Sequence, residues 1–318
     1  MIIKKKLYFL PGRNEAMNRI TLSRNPEEFI KREVVRFTQN SSANRRKVDG
    51  GKYWETPLIG FASGNDPLFN QYKKIIGKFH LTPREVFELT FGKKRQPEEL
   101  SVISWVLPTS KDIRLSNRKE VNYPSLLWAH ARDFGEEFNI KLRNHVVSQL
   151  KKRGYRAVAP MNASFWRRLR SPKVGLASNW SERHVAYACG LGAFGLSDGL
   201  ITTKGKAMRV GSVVTDLVLK PSEKPFPHHH ANCLYYFNGT CQTCASRCPA
   251  GAITEKGHDK EKCFEYTYGV VMRDKKTEYG VKIAGCGLCQ TKVPCEFEIP
   301  KLIQKEYLRK KWQKTIMF

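Results

Sequence analysis

Cys233-x7-Cys241-x2-Cys244-x3-Cys248-Pro249, followed by Cys263 and then by Cys286-x2-Cys289-x5-Cys295, is the stretch that organises this sequence. It contains all but one of the nine cysteines in the chain. Two Cys-x2-Cys pairs, each with another cysteine a few residues on, are typical of iron–sulfur ligation, in which closely spaced thiolates hold one face of a cubane. Pro249 strengthens this interpretation, because two-cluster ferredoxins end their motif in Cys-Pro and use that cysteine for the other cluster.

The spacing predicts two 4Fe-4S clusters with interleaved ligands. The first cysteine set is Cys233, Cys241, Cys244 and Cys295, and the second is Cys248, Cys263, Cys286 and Cys289. Cys233 is assigned because the usual ligand position, three residues before Cys241, holds Asn238. Cys295 also departs from the usual pattern, since five residues rather than three separate it from Cys289.

Zinc sites and disulfides are the alternatives to clusters. Two four-cysteine zinc sites would also use Cys-x2-Cys pairs, but zinc accounts for neither Cys-Pro nor the interleaving. Disulfides are disfavoured because nothing marks this chain as secreted.

Composition limits the class of protein and its partners. The 318 residues have a hydrophobic content of 41%, enough for one large or two smaller cored domains. No apolar run is long enough to span a membrane, and Met1 to Pro11 is not a convincing signal peptide, so we expect a cytoplasmic protein. The formal charge of +27 favours a nucleic acid or an acidic electron donor as partner, although a generally lysine-rich surface would give the same number.

Hydrophobic patterning predicts mixed α and β structure. A strand is expected over Val102–Leu107, and a long helix from Pro124 to about Arg153 with a buried stripe of apolar residues. A short helix from Ser181 to Gly190 precedes a glycine-rich loop and a strand at Met208–Leu217.

The second half of the chain resembles a known superfamily. The likeness is carried by Ser181-Glu-Arg-His184, Gly190-Leu-Gly192, Leu200-Ile201, Gly211-Ser-Val-Val-Thr-Asp216 and the cysteine array. Over about residues 175–298 the order and spacing resemble the epoxyqueuosine reductase and reductive dehalogenase superfamily. The resemblance implies an α+β fold, with a nitroreductase-like cobalamin-binding domain followed by a two-cluster ferredoxin-like module. The two clusters would pass single electrons to the corrinoid and then to substrate.

The resemblance also implies boundaries and site residues. Residues 1–120 would form an N-terminal α/β region, 121–225 the cobalamin and substrate core, 226–300 the cluster module, and 301–318 a basic helix. The implied corrinoid contacts are Gly190, Leu191, Gly192, Gly195, Arg209, Gly211 and Ser212.

One departure from the family pattern concerns the proton donor. Epoxyqueuosine reductases carry an Asp-Ser-Ala-Pro sequence shortly before the glycine loop, whereas Gly175 to Ser181 contains no acid here. The candidate catalytic residues are therefore Asn179, Glu182, His184 and Tyr187. This difference predicts a divergent paralogue with another substrate.

Three functions follow from these observations. The first is a cobalamin- and 4Fe-4S-dependent reductase that takes electrons from a low-potential donor such as ferredoxin or flavodoxin and acts on tRNA or another anionic substrate. The second is an iron–sulfur electron-transfer protein without corrinoid. The third is a nucleic-acid-binding protein, with tRNA as ligand and structural clusters. No membrane partner is expected.

Overall fold

The computed structural model describes residues 25–316, with side chains described for residues 25–94 and 96–309. Met1 to Pro11, which is not expected to be a signal peptide, lies outside this range. The last two residues of the basic helix predicted over 301–318 also lie outside it.

A four-stranded antiparallel sheet forms the centre of the larger part of the molecule. Its strands are β1 (Leu58–Ser63), β2 (Ser101–Pro108), β3 (Ala157–Val158) and β8 (Met208–Thr215), in the spatial order β1-β2-β8-β3. Every residue of β2 is buried, because strands flank it on both edges and helices cover both faces. A strand buried on both faces is apolar throughout, which is why Val102–Leu107 is recognisable in the sequence.

Side chains alternate between the two faces of β2, and each face has its own core. Ile103, Trp105 and Leu107 pack with α1 (Pro26–Asn40) and α5 (Leu126–Lys151). Opposite them, α2 (Pro67–Ile75), α3 (Pro83–Phe91) and α6 (Glu182–Ala188) pack against the alternate residues. The result is a three-layer arrangement, and the mixed α and β structure expected from the sequence is confirmed.

The helix α5 is fastened to the sheet by polar as well as apolar contacts. The Trp105 ring nitrogen donates to Asn139 Oδ1 at 3.0 Å, and Asn139 Nδ2 donates to the Val210 carbonyl at 3.0 Å. Both side chains are completely buried, so each polar atom needs such a partner. The helix begins after Ser125, whose hydroxyl accepts from the Trp128 amide, rather than at Pro124.

Two hairpins and another α-helix also belong to this part of the described chain. They are α4 (Lys111–Arg118), the hairpin of β4 (Arg168–Ser171) with β5 (Gly175–Ser178), and the hairpin of β6 (Gly192–Phe194) with β7 (Leu200–Thr202).

The cysteine-bearing segment forms a smaller body with short elements. These are α7 (Leu234–Asn238), α8 (Thr243–Ser246), β9 (Ile253–Thr254), β10 (Gly257–His258), α9 (Lys260–Phe264), a π-helix (Glu265–Val270) and α10 (Val271–Tyr279). The helix α11 covers Lys301–Ile316. Buried cysteines and a few aliphatic residues share one small core here.

Hydrogen bonds and an ion pair join the two bodies. Asn117 donates to Thr291 Oγ1 at 3.0 Å, both residues being completely buried. Arg118 pairs with the buried Glu296 at 2.8 Å, and Arg247 donates to the Glu120 carbonyl at 2.7 Å. The cysteine-bearing body is therefore held in a fixed orientation against α4 and the loop that follows it.

The helix α1 was not predicted from the sequence. Residues 1–55 read as polar and basic, yet α1 buries Phe29, Ile30 and Val34 against the sheet layer. The few apolar residues of α1 lie on one face of the helix. Its average hydrophobicity is low, and this average does not reveal the amphipathic pattern.

Within residues 25–316 the helices are too short or too polar to cross a bilayer.

The helical residue Gly135 provides a test of the packing of α5. A Cβ there would lie 2.6 Å from Trp54 Cζ2, whereas at helical Gly269 it would meet nothing within 4 Å. Alanine normally favours a helix over glycine by about 1 kcal/mol, but overpacking costs about 1–3 kcal/mol. We expect Gly135→Ala to lower the free energy of unfolding by roughly 1 kcal/mol, measured by anaerobic urea denaturation. The matched control Gly269→Ala should be neutral or stabilising, and stabilisation of both variants would contradict the contact with Trp54.

Candidate functional site

The first cysteine set lines one cavity. Cys233, Cys241, Cys244 and Cys295 all face it, together with Lys206. Cys233 lies just before α7, the next two flank the start of α8, and Cys295 returns from the far end of the segment. Burial raises the pKa of Cys295 to about 11; Lys206 opposes the rise, and the other three cysteines add to it.

Cys233 and Cys295, the two uncertain members of this set, both line the cavity. Asn238, the alternative to Cys233, instead accepts hydrogen bonds from the Thr240 amide and hydroxyl in a local turn. The longer spacing before Cys295 is taken up by a loop in which Lys292 has a φ of 56°. The Lys292 amide donates to the Glu296 carboxylate at 2.7 Å, which holds this loop in place.

The second cysteine set is also gathered in one place. Burial raises the pKa of Cys286 to about 12, and Cys289, Cys263 and Cys248 lie near enough to add to the rise. Gly287 follows Cys286 with a φ of 69°, and a side chain there would collide with the Trp128 ring. Glycine at this position therefore lets the Cys-x2-Cys turn approach α5 closely.

The four thiols of the first set line one cavity. Within the described residues, no three His, Cys, Asp or Glu side chains converge as they would on one metal ion. Tetrahedral zinc requires four sulfurs at about 2.3 Å from one centre, whereas a cubane is bound at its separate corners. The donor chemistry of both sets and the cavity within the first set suit a cluster.

A partly buried network of polar and charged side chains extends from the second cysteine set into the α/β body. The Tyr268 hydroxyl, on the π-helix after Cys263, accepts from Arg132 at 3.3 Å. Arg209 pairs with Glu136 at 3.0 Å, and Arg143 pairs with the same carboxylate at 2.9 Å. Burial and the neighbouring Arg132 lower the pKa of Arg209 to about 10.

Glu182 lies at the inner end of this network and differs from the other candidate proton donors. Its side chain is 10% exposed, and neither carboxylate oxygen has a hydrogen bond of ordinary geometry. Arg143 Nε is 3.5 Å away, and the Ser212 hydroxyl and amide are close enough to favour the charged form. Burial outweighs both effects and raises the pKa of Glu182 to about 7.

The other three candidates are engaged in structural contacts. Asn179 accepts from the Arg167 amide at 2.9 Å and donates to the Phe165 carbonyl at 2.8 Å. Burial lowers the pKa of His184 to about 3, and its ring bonds to Ser181 at 2.8 Å. The ring of Tyr187 packs against Phe194, and burial raises the pKa of its hydroxyl.

The residues implied as corrinoid contacts face the chain itself. A Cβ on Gly190 would collide with the Glu223 carbonyl, and one on Gly211 would lie 2.6 Å from the Trp105 ring. A Cβ on Gly192 would lie 2.7 Å from the Ile201 carbonyl, across the β6–β7 hairpin. The remaining implied contacts are occupied as well: Leu191 is in the core, Gly195 faces Ile201 and Cys233, Arg209 pairs with Glu136, and Ser212 accepts from Trp180.

Sequence reasoning did not single out Arg132, Glu136, Arg143 or Tyr268 as site residues. Basic residues close together in the sequence have different positions here: Arg143 is buried, whereas Arg168 is exposed with its guanidinium 5.4 Å from the Tyr268 ring centre. A π-helix, which often marks a functional position, has no sequence signature that separates it from an α-helix.

Comparisons with known proteins identify relatives over part of the chain. No family model matches. The epoxyqueuosine reductase of Francisella cf. novicida (strain Fx1) is 32% identical over 133 residues, 40% of this chain and 35% of that protein. Those of Bacillus cereus and Gloeobacter violaceus are 30% and 33% identical over 119 and 123 residues. The matched region spans about a third of the length of these curated relatives.

Solved structures were compared as well. A crystal structure of selenomethionine-labelled epoxyqueuosine reductase has a TM-score of 0.46 at 16% identity, covering 85% of this chain and 66% of that one. The enzyme from Bacillus subtilis has a TM-score of 0.44 at 17% identity, with the same coverage.

The fold and the two cysteine sets define a mixed α/β protein with a cysteine-rich module. The sequence matches add a likeness to named proteins: over 119 to 133 residues this chain is similar to epoxyqueuosine reductases. The resemblance stated from the motifs is confirmed.

Glu182 gives a testable pH dependence. A carboxyl whose pKa rises from 4.5 to about 7 on folding stabilises the fold at low pH, and this contribution is lost as pH rises through about 7. The free energy of unfolding of Glu182→Gln, relative to the wild type, should therefore increase between about pH 4.5 and about pH 7 by on the order of 3 kcal/mol. Urea denaturation across this range measures it.

The control for this experiment is Glu137→Gln, an exposed glutamate on the same helix as Glu136. It should follow the wild type at each pH. A difference between Glu182→Gln and the wild type that stays constant with pH would show that Glu182 does not titrate in this range.

Proposed function

We propose that this chain is an iron–sulfur oxidoreductase of the epoxyqueuosine reductase type, in which the two cysteine sets hold two 4Fe-4S clusters. The observation that carries the proposal is the grouping of eight cysteines into two sets of four, one around a single cavity. Clusters of this kind accept and release single electrons. The cysteine-bearing body is the ferredoxin-like module of this proposal, and the three-layer body is its nitroreductase-like partner.

The chain's own residues define the path between the module and the α/β body. Arg132 contacts both Tyr268 and the loop at Gly285, immediately before Cys286. The charge of Arg132 also acts on Glu136, which pairs with Arg209 and Arg143, and Arg143 in turn lies 3.5 Å from Glu182. We assign Glu182 as the proton donor of the reaction, because a carboxyl with a pKa of about 7 holds and releases a proton near neutral pH.

The arginines of this path supply positive charge inside the protein. Arg132, Arg143 and Arg209 face two carboxylates, Glu136 and Glu182, so one positive charge remains when both acids are ionised. An anionic substrate, of which tRNA is one class, suits this imbalance and the net charge of +27. A low-potential donor such as ferredoxin or flavodoxin would supply the electrons.

Cobalamin is the acceptor implied by the family resemblance. The residues implied as its contacts are occupied by the chain's own backbone and by the Trp105 ring, so in this arrangement they do not fit a corrinoid. No step of the reaction is therefore derived through it. Equilibrium dialysis of the iron-loaded protein against cob(II)alamin tests this directly. We expect less than stoichiometric retention, and one tightly bound corrinoid per chain would restore the cobalamin-dependent reductase.

Metal analysis of single cysteine variants tests the clusters. Anaerobically reconstituted wild type should hold about eight iron and about eight sulfide atoms per chain. Cys233→Ser and Cys263→Ser should each lose about half of the iron, because each removes one ligand from a different set. Iron and acid-labile sulfide quantitation, with electron paramagnetic resonance after dithionite reduction, measures the loss.

The ninth cysteine supplies the matched control for these variants. Cys189 is buried in the core of the α/β body, away from both sets, and burial raises its pKa. Cys189→Ala should retain full iron and sulfide. A wild-type protein that binds zinc in preference to iron, or that binds neither metal, would contradict the proposal.

A further inference from the structure

Lys206 is a completely buried lysine on the loop between β7 and β8. Only 2% of its surface is exposed, and its side chain lines the cavity of the first cysteine set. Its amide donates to the Cys295 carbonyl at 2.9 Å, and its ammonium donates to Ser197 Oγ at 2.8 Å. Both ends of the residue are therefore fixed relative to Cys295.

The ammonium of Lys206 has no carboxylate partner among the described residues. Lysines are almost never fully buried unless paired, and an isolated buried charge costs several kcal/mol. The groups facing it that can carry a negative charge are Cys295, Cys289, Cys244 and Cys233, of which three belong to the first set and one to the second. Thiolates in the first set are thus the nearest source of the missing negative charge.

We propose that Lys206 raises the reduction potential of the cluster in the first set. The inference rests on the proposed function. In the reduction, one electron moves from a one-electron donor of the flavin or iron–sulfur class to the cluster, and no bond forms or breaks. With four thiolates the site changes from a charge of about −2 to about −3, and a fixed positive charge in a poorly polarisable interior stabilises the more negative state.

The effect of Lys206 differs between the two cysteine sets because of the position of its side chain. Lys206 is part of the cavity wall of the first set and reaches the second set through Cys289 alone. Near Cys263, the second set has charged neighbours of its own, namely His258, Arg183 and Asp198. The influence of Lys206 itself is therefore concentrated on the first set.

The test is an anaerobic redox titration followed by electron paramagnetic resonance. Lys206→Met removes the charge and keeps most of the side-chain volume. We expect the equilibrium constant for reducing the first cluster to fall at least tenfold, which is about 59 mV for a one-electron couple, with a smaller change in the second. Cys286→Ser, which removes a ligand of the second set, assigns the two signals.

Two further variants separate charge from packing. Lys204→Met removes the same charge from an exposed position two residues away and should leave both potentials unchanged. Lys206→Arg keeps the charge and should restore a potential near that of the wild type. If Lys206→Met loses the first cluster while Lys206→Arg keeps it at the wild-type potential, the charge requirement also stands.

Two results would overturn the inference. The first is a Lys206→Met protein with both clusters and unchanged potentials. The second is loss of the first cluster in the Met and Arg variants alike, which would make Lys206 a packing residue. The iron and sulfide content of the wild-type protein tests the proposed function before any titration is made. Failure of the proposed function is therefore distinguishable from failure of the inference about Lys206.

Discussion

The site depends on one buried carboxylate, Glu296, at the junction of the two bodies. Its side chain is 1% exposed and accepts from Arg118 at 2.8 Å and from the Lys292 amide at 2.7 Å. Its carbonyl accepts from the amides of Lys206 and Ala207. A buried carboxylate needs this many donors, since each unsatisfied oxygen would lose its hydration without replacement. Because Glu296 follows Cys295 directly, the same contacts fix a proposed ligand and the lysine beside it.

The sheet determines where the polar network can form. Asn139 and Arg143 both donate to the Val210 carbonyl, at 3.0 and 3.3 Å, so α5 carries its charged side chains directly onto β8. Glu182 reaches the same strand from the opposite helix layer, near Ser212. The carboxylate of Glu182 and the guanidinium of Arg143 come from different layers and meet at β8. Each charged side chain is therefore buried beside an oppositely charged partner and not among apolar side chains.

Local signals in the sequence predicted much of the secondary structure. The apolar run at Val102–Leu107 lies in the central strand, and the buried apolar stripe predicted for the long helix lies in α5. These features depend on neighbouring residues alone, which is why a sequence shows them. The helix α1 was missed because its polar residues dominate its average.

The contacts within the site were harder to predict, since they join residues far apart in the chain. Lys206 and Arg143 resemble any other basic residue in a sequence with 56 of them, and only tertiary structure distinguishes a buried one. The glycines at 190, 192 and 211 were expected, from the family resemblance, to contact a corrinoid. Close approach of two parts of the same chain requires glycine equally, and the sequence does not distinguish the two causes.

The interleaving of the two cysteine sets has a consequence for the order in which the protein is built. The first set takes Cys233 and Cys295 from opposite ends of the segment, so occupying it closes a chain loop that encloses the whole second set. Closing a long loop through a metal cluster removes conformational freedom from the unfolded chain. If the inner set is completed first, a shorter flexible segment remains to be closed by the outer set. Oxidative loss of a cluster in the outer set would then release the contacts around Cys295 and α11 while the inner set stays intact.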